Sequence, residues 1–111
     1  MTTRGTWKAT ERKIAAMLGG RRIPVTGRAR GDAPDVAHPW LAVEVKHWAQ
    51  LPARVTAAMR QAEAAAHPGQ LPIAVIHGAG ERIQRALVVM RLADFVEWFG
   101  DWCDVDDAPA P

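Results

Sequence analysis

The fold of this chain depends on the stretch WLAVEVKHW, residues 40–48. Apolar and polar side chains alternate along it, which is the pattern of a β-strand with one buried face. The alternation puts Val43 and Val45 on the core side and Glu44 and Lys46 on the other. The sequence therefore predicts a strand that carries a carboxylate and an ammonium group next to each other on its open face.

A second carboxylate, that of Asp35, stands nine residues before Glu44. Residues 35–38 read as another extended segment, and Pro39 suits a turn or an edge position. A hairpin of this length can bring the Asp35 carboxylate beside Glu44. Two carboxylates with nearby backbone carbonyls suit Mg²⁺, which binds few carboxylates and keeps water and substrate phosphate in its shell. With the Lys46 ammonium to orient or activate a water, the residues predict metal-assisted phosphodiester hydrolysis.

The apolar pattern over the whole chain predicts three helices and five strands. In chain order they are a helix over 7–18, strands over 22–26, 35–38 and 40–48, a helix over 53–66, strands over 71–77 and 86–91, and a helix over 92–102. This order, α-β-β-β-α-β-β-α, predicts an α/β fold with a mixed central sheet flanked by helices. Residues 1–103 are expected to form a single domain, and residues 104–111 a disordered acidic tail.

Two polar residues lie on or beside the apolar faces of the predicted helices. Glu11 falls between Trp7 and Ile14 on the apolar face of the first helix, where a carboxylate is costly unless something pairs with it. Gln61 flanks the core stripe of the second helix and is not expected to face open solvent. The last helix carries an aromatic stripe, which suits a core or a dimer surface.

Basic and acidic residues are unevenly distributed, although the net charge is only +2. Residues 1–91 contain all 14 Lys and Arg residues and 6 acids, a net charge of +8, whereas residues 92–111 contain 6 acids and no Lys or Arg. A basic body favours a polyanionic partner. Arginines that precede Asp35 are candidates for phosphate contacts, with a solvated basic loop as the alternative. They are Arg21, Arg22, Arg28 and Arg30.

The residue types that are absent exclude several classes of protein. The chain contains no Ser, Asn or Tyr, which excludes serine hydrolases and tyrosine recombinases. Cys103 is the only cysteine, which leaves no intrachain disulfide and no cysteine zinc cluster. No apolar stretch approaches the roughly 20 residues of a membrane helix, and the N-terminus lacks the apolar region of a secretory signal. We therefore expect a cytoplasmic protein with no membrane partner.

The pair Pro34-Asp35 and the triplet Glu44-Val45-Lys46 together resemble the signature of the PD-(D/E)XK nuclease superfamily. The order of the predicted elements is similar as well. Within the superfamily, the chain most resembles the small archaeal and phage Holliday junction resolvases. This resemblance covers residues 6–100.

The resemblance implies a restriction-endonuclease-like core and a divalent-metal-dependent endodeoxyribonuclease. Such an enzyme resolves four-way junctions in DNA recombination and repair as a homodimer, in the host cytoplasm if the chain is phage-encoded. Asp35 and Glu44 correspond to the metal-binding carboxylates, for Mg²⁺ or Mn²⁺, with the Val45 carbonyl as a further ligand. Lys46 corresponds to the residue that positions or activates water, and Glu11 to a first-helix glutamate that completes the acidic site.

Gln61 lies where related nucleases often carry a polar residue on the helix after the motif, so the resemblance makes it a possible accessory residue. Other interpretations stay open beside junction resolution. Glu44 and Lys46 also fit an ordinary solvated strand face. The same site suits a nuclease on other branched or damaged DNA, and the same fold suits a non-catalytic DNA-binding module.

Overall fold

The computed structural model describes residues 4–22 and 35–103, with side chains over residues 7–20 and 35–100. In chain order the elements are α1 (Arg4–Met17), β1 (Arg21–Arg22), β2 (Val36–Ala37), α2 (Ala53–Ala65), β3 (Ala74–Ile76), a short 3-10 helix (Ile83–Arg85), β4 (Leu87–Val89) and α3 (Leu92–Cys103). The described residues thus form a small mixed α/β protein with three α-helices and short antiparallel strands.

The three predicted helices are confirmed to within three residues at each end. Helix α1 ends where Gly19 takes a positive φ of 76°, a conformation that suits glycine at a helix C-terminus. Helix α2 begins after Pro52, whose carbonyl accepts the N–H groups of Val55 and Thr56. The end of α1 and the start of α2 therefore lie where Gly and Pro residues interrupt the helical pattern of the sequence.

The described strands form two separate antiparallel ladders, and the single mixed sheet that we predicted is not formed by the described residues. Strand β1 pairs with β2, and β3 pairs with β4. Each strand has only two or three residues. Of the predicted strand over 22–26, only Arg22 lies in β1, because residues 23–26 fall outside the described part of the chain. The predicted tail over 104–111 also falls outside it.

The predicted strand over 40–48 is wrong in extent, because only Val43 makes a ladder contact, an antiparallel bridge to Val36. Val36 also pairs with Arg22 of β1, so a short three-stranded arrangement is centred on it. Two residues beyond the bridge, the Val45 N–H is bonded to the Asp35 side chain instead of a backbone carbonyl.

Two compact units divide the described residues: residues up to Ala49 together with those from Phe99 onward, and residues Gln50–Trp98. The core of the first unit contains Ala15, Val36 and Val45, with Ile14 and Val43 packed against it. In the second unit, α2 packs on β3, and the buried residues are Met59 and Ala74.

A bidentate ion pair joins α2 to the residue that precedes α3. Arg91 donates from Nε to Glu63 Oε2 at 3.0 Å and from Nη2 to Oε1 at 3.1 Å. These hydrogen bonds hold the pKa of Glu63 below its ordinary value and raise that of Arg91. Because the folded-state pKa of Glu63 is lowered, the pair stabilises the fold above the ordinary glutamate pKa, and this contribution is lost as the pH falls through the lowered value.

Gly20 sits where the chain passes from α1 into β1, and no side chain fits there. A Cβ atom at this position would lie 2.5 Å from the Ala37 carbonyl oxygen and 2.7 Å from Val36 Cγ1. The backbone oxygen cannot move aside without disturbing the pairing of β1 with β2. We expect Gly20→Ala to lower the free energy of unfolding by about 1–3 kcal/mol, the usual cost of overpacking, as measured by urea denaturation.

Gly69→Ala is the comparison for backbone strain without steric overlap. Gly69 has a φ of +87°, but a Cβ atom at this position would meet nothing within 4 Å, so its replacement strains only the backbone, at a cost of about 1–2 kcal/mol. A Gly20→Ala protein as stable as wild type would show that the close approach of Gly20 to β2 is not needed.

None of the described helices combines the length and the apolar character required to cross a membrane.

Candidate active site

The Asp35 residue is held against the backbone on both sides of Glu44. Its N–H donates to the Val43 carbonyl at 2.8 Å, and its Oδ2 accepts the Val45 N–H at 2.5 Å. The side chain is only 5% exposed. The Asp35 carboxylate therefore lies against the backbone of the 43–45 segment, and its placement beside the Glu44 carboxylate stays a prediction.

The burial of one apolar neighbour explains this placement. Val36 is fully buried in the core and bridges to Val43. Successive side chains of an extended segment point to opposite faces. Asp35 is buried as well, and its carboxylate accepts the buried Val45 N–H.

Glu44 and Lys46 lie side by side on the open face of this segment. Lys46 Nζ is 3.3 Å from Glu44 Oε2, and the side chains of Lys46 and Glu44 are 65% and 59% exposed, respectively. Their shared orientation was predicted from the alternation and is confirmed, with Val45 buried between them. Both charged groups are open to solvent, and an exposed ion pair of this kind contributes little to stability.

Glu11 lies on the buried face of α1 and is 1% exposed. Ala15 and Leu18, four and seven residues later, are buried on the same face. Ala15 belongs to the core cluster that holds Val36 and Val45. Glu11 is therefore one helical turn from a residue that packs beneath the Asp35 and Glu44 segments, and its predicted position on an apolar helix face is confirmed.

Buried polar groups are satisfied in the described part of the molecule. No deeply buried side-chain nitrogen or oxygen among these residues lacks a hydrogen-bond partner. This matters for Glu11 and Asp35, because a buried carboxylate without compensating interactions is strongly destabilising.

The predicted donors for a metal ion are the Asp35 and Glu44 carboxylates and the Val45 carbonyl. No three of the described His, Cys, Asp and Glu residues lie close enough together to hold one ion. Asp35 and Glu44, with the Val45 carbonyl, still fit the chemistry of Mg²⁺, which needs only one or two carboxylates and keeps several waters.

The remaining predicted site residues are the four arginines and Gln61. Arg21 and Arg22 form β1, but their side chains are not described, and Arg28 and Arg30 lie outside the described residues. Gln61 is exposed on α2, so the expectation that it is sheltered from open solvent is wrong. At 100° per residue, two residues turn it about 200° around the helix axis from the buried Met59.

His38 is a positioning residue that the sequence pattern did not reveal. Its Nε2 lies 2.7 Å from the Leu18 carbonyl oxygen at the end of α1. Its Nδ1 lies 3.3 Å from the Trp40 nitrogen and 3.2 Å from the Leu41 nitrogen, so it accepts two backbone N–H groups. These bonds assign the proton to Nε2, which donates to Leu18. The single ring therefore links the end of α1 to the turn that leads into the Glu44 segment.

We expect His38→Ala to lower the free energy of unfolding by about 1–3 kcal/mol, because partly buried backbone groups lose their partner. His67→Ala is the control, since His67 is exposed on the second unit and its replacement is expected to cost no more than about 0.5 kcal/mol. Urea denaturation of both variants measures the difference. Equal stability of the two variants would show that the His38 ring does not hold the turn.

The chain matches no protein-family model, no curated protein and no solved structure with which it was compared. Its function is therefore inferred from its own residues.

Proposed function

We propose that this chain is a divalent-metal-dependent DNA endonuclease that acts on branched DNA, with the four-way junction as its substrate. The observation that carries the proposal is the position of Asp35. Its backbone and carboxylate bond on either side of Glu44, and the Lys46 ammonium lies 3.3 Å from the Glu44 carboxylate. Two carboxylates and an ammonium on two hydrogen-bonded segments are groups that can carry out metal-assisted phosphodiester hydrolysis.

The charge of the chain supports a nucleic-acid substrate. Residues 1–91 carry a net charge of +8, and a positive surface attracts a phosphate backbone from a distance. Among the basic residues, 11 of 14 are arginines, which bind phosphate oxygens with two parallel hydrogen bonds. Contacts to phosphates read the shape of DNA and not its base sequence, which suits recognition of a branch.

The proposed roles follow from the chemistry of each group. Asp35, Glu44 and the Val45 carbonyl would hold Mg²⁺ or Mn²⁺, which when bound supplies positive charge against the phosphate. Lys46 donates hydrogen bonds that orient a water towards phosphorus and offset the charge that develops on the phosphate oxygens. Water adds to phosphorus and loses one proton to solvent, the P–O bond to one sugar oxygen breaks, and that oxygen takes up a proton from solvent as it leaves.

Resolution of a four-way junction further requires a homodimer and a suitable fold. A four-way junction is resolved by two paired incisions, and a homodimer supplies two sites related by a two-fold axis. A restriction-endonuclease-like core around the Asp35 and Glu44 segments is the corresponding fold. The half-exposed Trp98 on α3 suits a surface that a second copy covers.

A non-catalytic DNA-binding module is the second candidate function. It is favoured by the exposure of the Lys46 and Glu44 side chains, which are 65% and 59% exposed. The exposed Glu44 and Lys46 pair would then be an ordinary solvated feature.

One cleavage experiment distinguishes these functions. A labelled immobile four-way junction and a linear duplex of the same sequence are incubated with the full chain in Mg²⁺ or in EDTA. We expect paired symmetric nicks in the junction only, lost in EDTA and reduced about 10²- to 10³-fold in Glu44→Gln. Glu97→Gln, an exposed glutamate on α3, is the matched control and is expected to cleave at the wild-type rate.

The other outcomes separate the alternatives. Equal cutting of duplex and junction would keep the nuclease and remove the junction selectivity. Binding of the junction without cutting in Mg²⁺ or Mn²⁺ would refute the enzyme and leave the binding module.

A further inference from the structure

The connection between β3 and β4 carries the most exposed large apolar side chain that the structure describes. Ile83 begins the short 3-10 helix and is 76% exposed. A single apolar residue on a surface is ordinary by itself. Ile83 differs from that case in its immediate neighbours, since Arg82 and Arg85 stand on either side of it in sequence and are exposed as well.

These two arginines are available to a ligand. Within the part of the chain that the structure describes, neither Arg82 nor Arg85 forms an ion pair, in contrast to Arg91, which is bound by Glu63 through two bonds. The only acid of the connection is Glu81, whose carboxylate lies against Gly78. The connection therefore presents two unneutralised guanidinium groups around an apolar tip.

Hydrogen bonds within the connection hold the segment around Ile83 in place. His77 Nε2 lies 2.7 Å from the Glu81 carbonyl oxygen, and the Glu81 N–H donates to the Gly78 carbonyl. The Arg85 N–H donates to the Arg82 carbonyl at 3.0 Å, and the following residue closes the 3-10 turn on Ile83. A segment that is already ordered loses little conformational freedom when it binds.

The charge and shape of this segment are complementary to DNA. Guanidinium groups bind phosphate oxygens, and proteins that deform DNA insert apolar side chains such as isoleucine between base steps. Insertion requires unstacking, which is cheapest where stacking is already interrupted. A branch point is such a place, so an apolar tip between two phosphate-binding groups favours branched DNA over a continuous duplex.

We propose that the segment Arg82–Arg85 is a DNA-binding wedge, in which Arg82 and Arg85 bind phosphates and Ile83 packs against bases exposed at a branch point. This inference rests on the DNA substrate of the proposed function but not on the cleavage chemistry. It assigns to the second unit a role in selecting branched DNA.

Binding of the full chain in EDTA tests the wedge separately from catalysis. The probes are a four-way junction with 2-aminopurine at the branch point and a linear duplex with 2-aminopurine at the matching position. We expect wild-type protein to raise the fluorescence of the junction probe, because unstacking relieves quenching. Ile83→Ala is expected to abolish this rise and to weaken junction binding about 10-fold, with less than about 2-fold change on the duplex.

The double variant Arg82→Ala/Arg85→Ala is expected to weaken binding to both probes. The slope of log affinity against log salt should fall in magnitude by about 2, because two phosphate contacts are lost. The matched controls are Leu51→Ala and Arg54→Ala, exposed residues of the same unit, and both are expected to bind like wild type. Since all substituted side chains are exposed, an unchanged urea midpoint verifies that each variant is folded.

Several outcomes would overturn the wedge. They are a wild-type fluorescence rise in Ile83→Ala, an equal loss of junction and duplex binding in that variant, and an unchanged salt slope in the double variant. If the wild-type protein cleaves the junction and any of these results is found, the proposed nuclease is supported and the wedge is refuted. The expected fluorescence and binding results without cleavage in Mg²⁺ support the wedge and refute the nuclease.

Discussion

Asp35→Asn is expected to reduce the single-turnover rate of junction cleavage by about 10²- to 10³-fold, as the removal of one charged group from a preorganised site does. The amide oxygen of asparagine can still accept the Val45 N–H that Asp35 Oδ2 now accepts. The free energy of unfolding is therefore expected to stay within about 1 kcal/mol of wild type. Gel-based cleavage in Mg²⁺ and urea denaturation measure the two effects.

Asp35→Ala serves as the structural counterpart of that substitution. It removes the charge and also leaves the buried Val45 N–H without its acceptor, at a cost of about 1–3 kcal/mol. The pair of variants separates chemistry from folding: both should lose cleavage, and only the alanine variant should lose stability. Wild-type cleavage by a folded Asp35→Asn protein would make Asp35 a structural residue and would remove it from the proposed site.

Lys46→Ala is expected to lower the cleavage rate by about 10²-fold at saturating DNA, within the range for a residue that orients a reacting water. Its side chain is mostly exposed and its ion pair with Glu44 is open to solvent. The free energy of unfolding should therefore change by no more than about 0.5 kcal/mol. Lys46→Arg keeps the positive charge and is expected to recover part of the rate.

Lys13→Ala is the matched control for the loss of one positive charge, because Lys13 is exposed on α1. We expect it to cleave at nearly the wild-type rate. A similar decrease in both lysine variants would indicate that Lys46 acts only through the general attraction of DNA. A decrease in DNA affinity with no change in the saturated rate would assign Lys46 to binding.

The helices were predictable because their signals are local. Helix α2 spans Ala53–Ala65, where a preceding proline, an apolar stripe and a following Pro-Gly pair all act within a few residues. The shared face of Glu44 and Lys46 was predictable for the same reason, since a residue's face in an extended segment depends only on whether its position is odd or even.

The extents of the strands were not predictable in this way. Residues 40–48 alternate like a strand along their whole length, yet only Val43 finds a ladder partner. A strand forms where the backbone N–H and C=O groups of another segment are available for hydrogen bonding. Their availability depends on the path of the rest of the chain. The exposure of Gln61 was not predicted, because the buried face of α2 is narrower than the spacing of its alanines indicated.

The sequence by itself determined the three helices, the uneven charge and the residues that can carry phosphodiester chemistry. Each of these follows from composition or from spacing within one element. Only the tertiary structure decided that the Asp35 carboxylate bonds the Val45 N–H, that Gly20 must lack a side chain, and that His38 joins α1 to the turn before Glu44. These contacts join residues 10 to 20 positions apart, and they form because the burial of Val36 and Ala15 in one core brings their backbones together.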